Sequence, residues 1–149
     1  MKKLFKILIS VLVIVLLCYG YFYFRASRTL NIQTPNGIIS YHVERALTPE
    51  QQQTGLMNRK KLAQKSGMIF LFKPVRIARM WMKNTLIPLD MVFFDSYGRV
   101  VRVHHNAVPQ DLTIISSKRP VSGVLEINAG EAKKYGIGPG STLDLSNMK

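Results

Sequence analysis

Cysteine and acidic side chains are scarce in this chain. Its 149 residues include one cysteine and 8 acidic residues, against 21 lysine and arginine residues. A single cysteine excludes an intramolecular disulfide bond. This residue, Cys18, follows Leu17, where a lipoprotein signal requires a small residue, so we expect no lipid at this position. The shortage of acidic residues leaves a formal net charge of +13.

The positive charge persists when the N-terminal segment is set aside. Without the lysines at positions 2, 3 and 6, 18 basic residues face 8 acidic ones, which is a net charge of +10. Such a charge favours anionic partners, for example phospholipid head groups or an acidic envelope polymer, and it also suits a solvated cationic face with no partner. Because the aromatic residues fall mainly within apolar runs and not between the basic residues, we expect no nucleic-acid partner.

Familiar catalytic and cofactor-binding motifs are also missing. The sequence has no G-x-S-x-G nucleophile motif, no Walker loop and no glycine-rich dinucleotide fingerprint. His104 and His105 would point to opposite faces of a strand, so only one of them could join His42, and no cysteine or acidic cluster completes a metal site. We therefore expect no metal and no cofactor, and the residues favour a protein that is not an enzyme.

Residues 7–24 carry no charge and are almost entirely apolar. As a helix they would span about 27 Å, close to the ~30 Å hydrocarbon core of a bilayer. The stretch ends in bulky aromatic residues instead of the small residues of a cleavage site, which predicts an uncleaved signal-anchor at residues 1–24. The excess of lysine before the stretch predicts a single-pass protein of the bacterial cytoplasmic membrane, with its N-terminus inside and its domain facing the periplasm or the cell exterior.

After a tether at residues 25–31, the remaining 32–149 predict a single domain that is mostly β. A turn at Pro35-Asn36-Gly37 separates two alternating runs and predicts a β-hairpin. Thr48 and Pro49 predict the start of a short helix, and three glycines end a second one. Further strands are expected at 67–72, 77–82, 89–94, 99–106, 121–127 and 141–145. These seven or so strands and two short helices predict a small, closed or partly closed β-barrel.

The segment 79–95 concentrates the chemistry of the chain. It holds the only tryptophan, Trp81, followed by Lys83, Asn84 and Thr85, with Asp90 five residues further on. Two apolar runs flank this polar segment, so we expect them to pair as a hairpin that turns at 84–88. Such a hairpin would bring Lys83 and Asp90 together as an ion pair at one end of the barrel. The same residues could instead satisfy only the backbone of the hairpin end.

This segment resembles domain-of-unknown-function family 192, a bacterial and archaeal family with no settled biochemical activity. The resemblance lies in WMKNT at 81–85 and PLD at 88–90, and in GLM at 55–57, Arg59, Leu62, GMIF at 67–70, Asn106, Pro109, VLE at 124–126, AG at 129–130, GI at 136–137 and Gly140. It covers residues 32–145 and implies a small, mostly β domain that is often exported or anchored. One departure is Ser141, where members commonly carry aspartate, so a carboxylate role there is not expected.

The residue types and the resemblance together define a candidate ligand site. Its members are Arg59, Trp81, Lys83, Asn84, Thr85, Asp90 and Glu126. The first hypothesis is a membrane-anchored binding or accessory domain that holds an anionic ligand, an envelope component or a protein partner. One alternative is a hydrolase or lyase with Asp90 or Glu126 as its acid or base. A second is an assembly factor without a pocket. A structural ion pair is the competing interpretation of Arg59 and Glu126.

Overall fold

The computed structural model describes residues 11–15 and 28–148. Within these ranges the chain is mostly β, with few and short helices. In chain order the elements are β1 (Arg28–Thr34), β2 (Gly37–Ala46), α1 (Pro49–Thr54), β3 (Ser66–Met80), β4 (Leu89–Phe94), β5 (Val100–Ala107), β6 (Ile115–Asn128), α2 (Glu131–Tyr135) and β7 (Thr142–Leu143).

The strands form one seven-stranded, half-barrel sheet in the order β5-β4-β6-β3-β2-β1-β7. All neighbouring pairs are antiparallel except β2 and β3, which are parallel because α1 and the segment after it carry the chain back to the start of the next strand. The short β7 contacts both edges of the sheet. It pairs with β1, and Leu143 N also donates to Gly98 O at 2.8 Å, beside the start of β5.

Each face of the sheet has its own apolar core, because alternate side chains of a strand point to opposite sides. One core contains Ile32, Tyr41, Val92 and Leu125. The other contains Leu56, Phe70, Met91 and Val124, and it lies on the side of the sheet that carries the 81–88 connection. Strand β4 is buried along its whole length, which explains its unbroken apolar run.

The hairpin predicted between the two apolar runs of 77–94 is wrong. β6 lies between β3 and β4, so those two strands do not pair with each other. The two strands predicted at 67–72 and 77–82 are a single strand, β3, whose ladder with β6 is interrupted between Leu71 and Arg76. Pro74 lies in the interruption, as expected for a residue without a backbone N–H donor.

Other local predictions are confirmed. β1 and β2 form the predicted hairpin with Thr34 opposite Gly37. Helix α1 begins with Thr48 as its N-cap, and Thr48 and Gln51 form a reciprocal capping box. The second helix ends at Gly136, whose φ of 69° is the left-handed conformation that glycine adopts without strain.

The predicted anchor falls largely outside the described residues. Of the stretch 7–24, the structure describes only 11–15, which are helical and exposed. Across 11–15 and 28–148, no helix has both the length and the apolar character needed to cross a membrane.

Candidate functional site

A narrow cleft brings together four of the predicted site residues. Trp81, Lys83, Thr85 and Glu126 line it, together with Arg79 and other residues of α1 and β3. Its volume is about 70 Å³. A flat surface around Trp81 would have favoured the alternative of an assembly factor without a pocket, and that alternative stays a hypothesis.

Glu126 reaches the cleft from the middle of the sheet. On β6 it lies opposite Met68 of β3 on one side and Met91 of β4 on the other. Residues that face each other across a ladder project to the same side, so the carboxyl group is flanked by two methionine side chains of the core. Glu126 is 5% exposed. The sequence thus places an acidic residue in a row that is otherwise apolar.

The environment of Glu126 favours its neutral form. Burial raises its pKa from 4.5 to about 8, because a charged carboxylate loses its hydration there. Within 11–15 and 28–148, no hydrogen bond or ion pair compensates for this loss. At neutral pH the group is therefore mostly protonated, and it can donate a hydrogen bond to whatever enters the cleft.

Backbone hydrogen bonds hold the polar segment that follows Trp81 in place. Met82 N donates to Asp111 O at 2.9 Å, and Gln110 N donates to Thr85 O at 3.0 Å. Asn58 N donates to Asn84 O at 2.8 Å. Three backbone contacts therefore fix a segment that contains neither helix nor strand.

The side chains of this segment have different roles. Asn84 has a φ of 54°, a left-handed conformation that asparagine tolerates better than most residues, so its contribution is to the turn. Thr85 is buried, and its hydroxyl donates to Lys83 O at 3.3 Å. Lys83 is exposed, with Nζ 5.3 Å from the centre of the Trp81 ring, which is within the range of a cation–π contact. Trp81 remains 43% exposed, so its ring can also contact a ligand.

A sequence model of domain-of-unknown-function family 192, described as "Uncharacterized ACR", matches residues 31–145. The chain belongs to this family. The match covers most of the chain, and it includes every residue of the cleft. A comparison with curated proteins finds no match.

Two solved structures are similar to this member of family 192. One is a protein from Sinorhizobium meliloti 1021 described as a proposed transcription regulator, with 43% identity and a TM-score of 0.78, covering 80% of this chain and 93% of that one. The other is a protein of unknown function from Novosphingobium aromaticivorans DSM 12444, with 39% identity and a TM-score of 0.77, covering 79% of this chain and 84% of that one.

Asp90 does not share the cleft of this family 192 chain. It lies opposite Ile127 in the β4–β6 ladder, one row from the pair of Met91 and Glu126, so its side chain points to the other face of the sheet. Asp90 is fully buried and accepts hydrogen bonds from Asn106 N at 2.9 Å and Ala132 N at 3.0 Å. The predicted ion pair with Lys83 is therefore wrong. Asp90 and Glu126 also lie on opposite faces of the sheet, so they do not form one acid–base pair.

The Asp90 carboxylate has a structural role instead. Asn106 has a φ of 52° near the end of β5, and Ala132 lies in the first turn of α2, whose N-cap Gly130 has no side chain to cap it. By accepting from both backbone amides, Asp90 ties β5 and α2 to β4. His105 Nδ1 lies 3.9 Å from the same carboxylate.

Arg59 forms an ion pair, as one interpretation of the sequence predicted, but its partner is Glu44. Its guanidinium group binds Glu44 in a bidentate manner, at 2.5 Å and 2.7 Å. The competing interpretation, a structural ion pair, is therefore correct for Arg59, but its partner is Glu44 of β2 and not Glu126. This pair ties the segment after α1 to β2, beside the cleft.

Sequence reasoning missed Arg79 and the wall that α1 contributes. Arg79 lies two residues before Trp81 and both are exposed, as expected for residues on the same side of a strand. This spacing could have identified it. No comparable pattern marks the turn after α1, since only the fold brings Gly55 and Leu56 next to Phe70.

The histidines do not assemble into a metal site in the part of the chain that the structure describes. No group of three or more histidine, cysteine, aspartate or glutamate side chains there could hold a metal ion. Burial, and then the positive charge of Arg102, hold the pKa of His104 below its ordinary value.

Ser141, which replaces the aspartate common in the family, has a local role. Its buried hydroxyl donates to Gly136 O at 3.3 Å and accepts from Gly138 N at 3.2 Å. A hydroxyl group therefore stabilises the glycine-rich turn before β7 without a carboxylate.

Proposed function

We propose that this chain is a membrane-anchored, extracytoplasmic binding domain whose cleft at Glu126 receives one anionic group, a carboxylate or a phosphate, of a small or polymeric ligand. The proposal rests on one observation: a buried, mostly protonated carboxyl group, without a partner among residues 11–15 and 28–148, lines a cleft beside two cations.

The size of the cleft is suited to one ionic group of a ligand and not to a whole ligand molecule. Pockets for drug-sized ligands measure roughly 300–1,000 Å³, whereas this cleft measures about 70 Å³. A carboxylate or phosphate would fit within it, and the rest of the ligand would lie outside. The exposed ring of Trp81 is the apolar surface nearest to the opening on which that part could pack.

The positive charges of the cleft wall favour the binding of an anionic group. Arg79 and Lys83 are exposed residues of the cleft wall, so a ligand oxygen would meet two cations there. An ionised glutamate would repel an anion, but Glu126 keeps its proton at neutral pH and can donate it in a hydrogen bond. Binding should therefore weaken as the pH rises through about 8.

Membrane anchoring rests on the sequence of residues 1–24. The uncharged stretch 7–24 is long enough to cross a bilayer, and the lysines before it favour an extracytoplasmic domain. A topology reporter fused after Lys149 tests this part. Reporter activity on the cytoplasmic side would contradict it.

The single tryptophan makes the binding experiment direct. Inorganic phosphate and acetate are titrated into the full-length protein while the emission of Trp81 is recorded. We expect a saturable change that weakens about tenfold in Lys83→Met, since removing a charged hydrogen-bond donor costs roughly 1.5–3 kcal/mol. Lys133→Met, which removes the same charge from the exposed side of α2, is the matched control. No saturable change, or equal loss in both variants, would overturn the proposal.

A second function is favoured by the same carboxyl group. A pKa of about 8 places Glu126 where a general acid works near neutral pH. A hydrolase or lyase of this kind would use Glu126 alone, because Asp90 lies on the other face of the sheet. Its activity would be lost above pH 8 and abolished in Glu126→Gln, whereas a binding domain would show no turnover with any substrate.

A further inference from the structure

A second surface, which shares no lining residue with the Glu126 cleft, has the composition of a membrane contact. It is an apolar groove of about 330 Å³ between the middle of β3, the β4–β5 turn and the end of the chain. Its apolar wall is formed by Leu71, Phe72, Pro74, Val75, Leu145 and Met148. We call this the apolar groove.

Exposed apolar side chains and cations surround the apolar groove. Val75 is 51% exposed, and Tyr97, next to the lining residue Ser96, is 72% exposed. The guanidinium group of Arg99 lies 4.8 Å from the centre of the Tyr97 ring. Lys73 also lines the groove. An exposed aromatic ring beside cations is the arrangement that proteins present to the interface of an anionic bilayer.

Two acidic residues lie near this rim, and both accept hydrogen bonds from the backbone. Asp144, next to the lining residue Leu145, accepts from Ser146 N at 3.0 Å. Asp95 Oδ1 accepts from Tyr97 N at 2.8 Å and from Arg99 N at 3.0 Å, which holds the β4–β5 turn together. On the other side, the guanidinium group of Arg76 stacks over the Phe72 ring at 4.3 Å. Three cations, Lys73, Arg76 and Arg99, thus outnumber two carboxylates around the groove, in keeping with the charge of +10 that the chain carries after residue 24.

The apolar groove lies beside the first residues of β1. Asp144 N donates to Asn31 O at 2.8 Å, so Leu145, a lining residue, lies alongside the start of that strand. Arg28 begins β1, four positions after Phe24, the end of the uncharged stretch. Four Cα-to-Cα steps reach at most about 14 Å. If residues 7–24 cross a bilayer, the groove is held close to its surface.

We infer that the apolar groove and its rim, with Val75, Tyr97, Lys73 and Arg99, dock on the interfacial layer of a bilayer that contains anionic lipid. The inference rests on the proposed membrane anchor. Docking would hold the domain in one orientation, because the tether and the groove would both face the membrane. A rigid orientation would present the Glu126 cleft consistently to ligands outside the membrane.

The test places a fluorescent reporter on the groove. The full-length double variant Trp81→Phe/Tyr97→Trp has one tryptophan, at the rim, whereas the wild-type protein has its one tryptophan at the cleft. Both are incorporated into vesicles of phosphatidylglycerol and phosphatidylcholine with brominated acyl chains. We expect the rim reporter to lose most of its emission and Trp81 to retain it, and we expect the loss to shrink in vesicles of phosphatidylcholine alone.

A matched pair of charge variants sharpens this result. In the rim reporter, Val75→Asp should restore emission, because a carboxylate at that position opposes burial in the interface. Ile38→Asp should not, since Ile38 is a 71% exposed aliphatic residue next to the turn at the far end of β1. Far-UV circular dichroism and urea unfolding establish that both variants fold.

The outcomes separate the docking surface from the anchor. A protein that fails to float with the vesicles after a carbonate wash has no anchor, which overturns the anchoring and the docking together. A protein that floats while its rim reporter is not quenched retains the anchor and overturns only the docking.

Discussion

Two buried carboxyl groups lie one row apart on neighbouring strands, and they have opposite surroundings. Asp90 faces one side of the sheet, where it is fully buried and accepts hydrogen bonds from two backbone amides. Glu126 faces the other side between two methionines, without a partner in the described residues and with a pKa raised to about 8 by burial. The carboxyl group of Asp90 stabilises the fold, whereas the burial of Glu126 destabilises it.

The comparison shows how to distinguish a structural acid from a functional one. A buried charged group that satisfies its hydrogen-bonding capacity adds to the stability of the fold, whereas an uncompensated one is tolerated where it serves another purpose. Both residues stand at positions that resemble the family pattern, so the pattern alone does not separate them. The two residues are distinguished by their hydrogen-bond partners, which Asp90 has and Glu126 lacks among the described residues.

The largest effect expected from this comparison is the loss of Asp90. Asp90→Ala would leave the buried amide of Ala132 and the partly buried amide of Asn106 without their acceptor. Hydrogen bonds to charged groups contribute roughly 1.5–3 kcal/mol each, so we expect the free energy of unfolding to fall by about 3 kcal/mol or more. Urea denaturation of the full-length protein measures it.

Asp95→Ala is the control for that measurement. Asp95 also accepts from two backbone amides, but in an exposed turn where water can replace the carboxylate. We expect a loss of about 1 kcal/mol. Equal losses in the two variants would contradict the structural role of the buried Asp90.

For Glu126→Gln we expect the free energy of unfolding to change in the opposite direction, so that the variant is stabilised relative to the wild-type protein at high pH. Between pH 4.5 and about 8, the folded protein keeps the Glu126 proton while the unfolded chain has lost it. The free energy of unfolding of the wild-type protein should therefore fall as the pH rises through this window. Glutamine cannot ionise, so the free energy of unfolding of the variant should not fall in this window. The variant should therefore be more stable relative to the wild-type protein at pH 9 than it is at pH 4.

Urea unfolding at pH 4, 6 and 9 measures this dependence. Glu50→Gln, a substitution of the same type on the exposed surface of α1, should leave the slope between pH 6 and pH 9 unchanged, because hydrogen bonds from the backbone and from Thr48 hold the pKa of Glu50 below its ordinary value of 4.5. A wild-type protein whose stability is the same at pH 6 and pH 9 after subtraction of this control would mean that Glu126 is partnered.

The smallest effect is a coupling energy close to zero between Lys83 and Asp90. The two residues are near in sequence, but Lys83 is exposed at the cleft and Asp90 is buried on the other face. A double-mutant cycle with Lys83→Met and Asp90→Asn should give a coupling below about 0.5 kcal/mol. A coupling well above this value would show that the two groups interact and would break the distinction between the two faces.

Local features of the fold follow from the sequence because short-range chemistry determines them. Thr48 and Pro49 place the start of α1, the Pro35-Asn36-Gly37 turn places the first hairpin, and Gly136 ends α2. The turn predicted at Lys73 and Pro74 does not end the strand, since β3 continues through these residues as one strand. A proline breaks one ladder contact, but the neighbouring strand can resume pairing beyond it.

The sequence by itself determined which residues carry the chemistry: an isolated Trp81 beside Lys83, a carboxyl group at Glu126, and a membership of family 192 that spans the domain. Only the tertiary structure decided how they are distributed. β6 inserts between β3 and β4, a non-local pairing that no short-range pattern encodes, and this insertion brings Glu126 to the Trp81 cleft. Since side chains alternate along a strand, the register of that ladder also turns Asp90 away, to the opposite face.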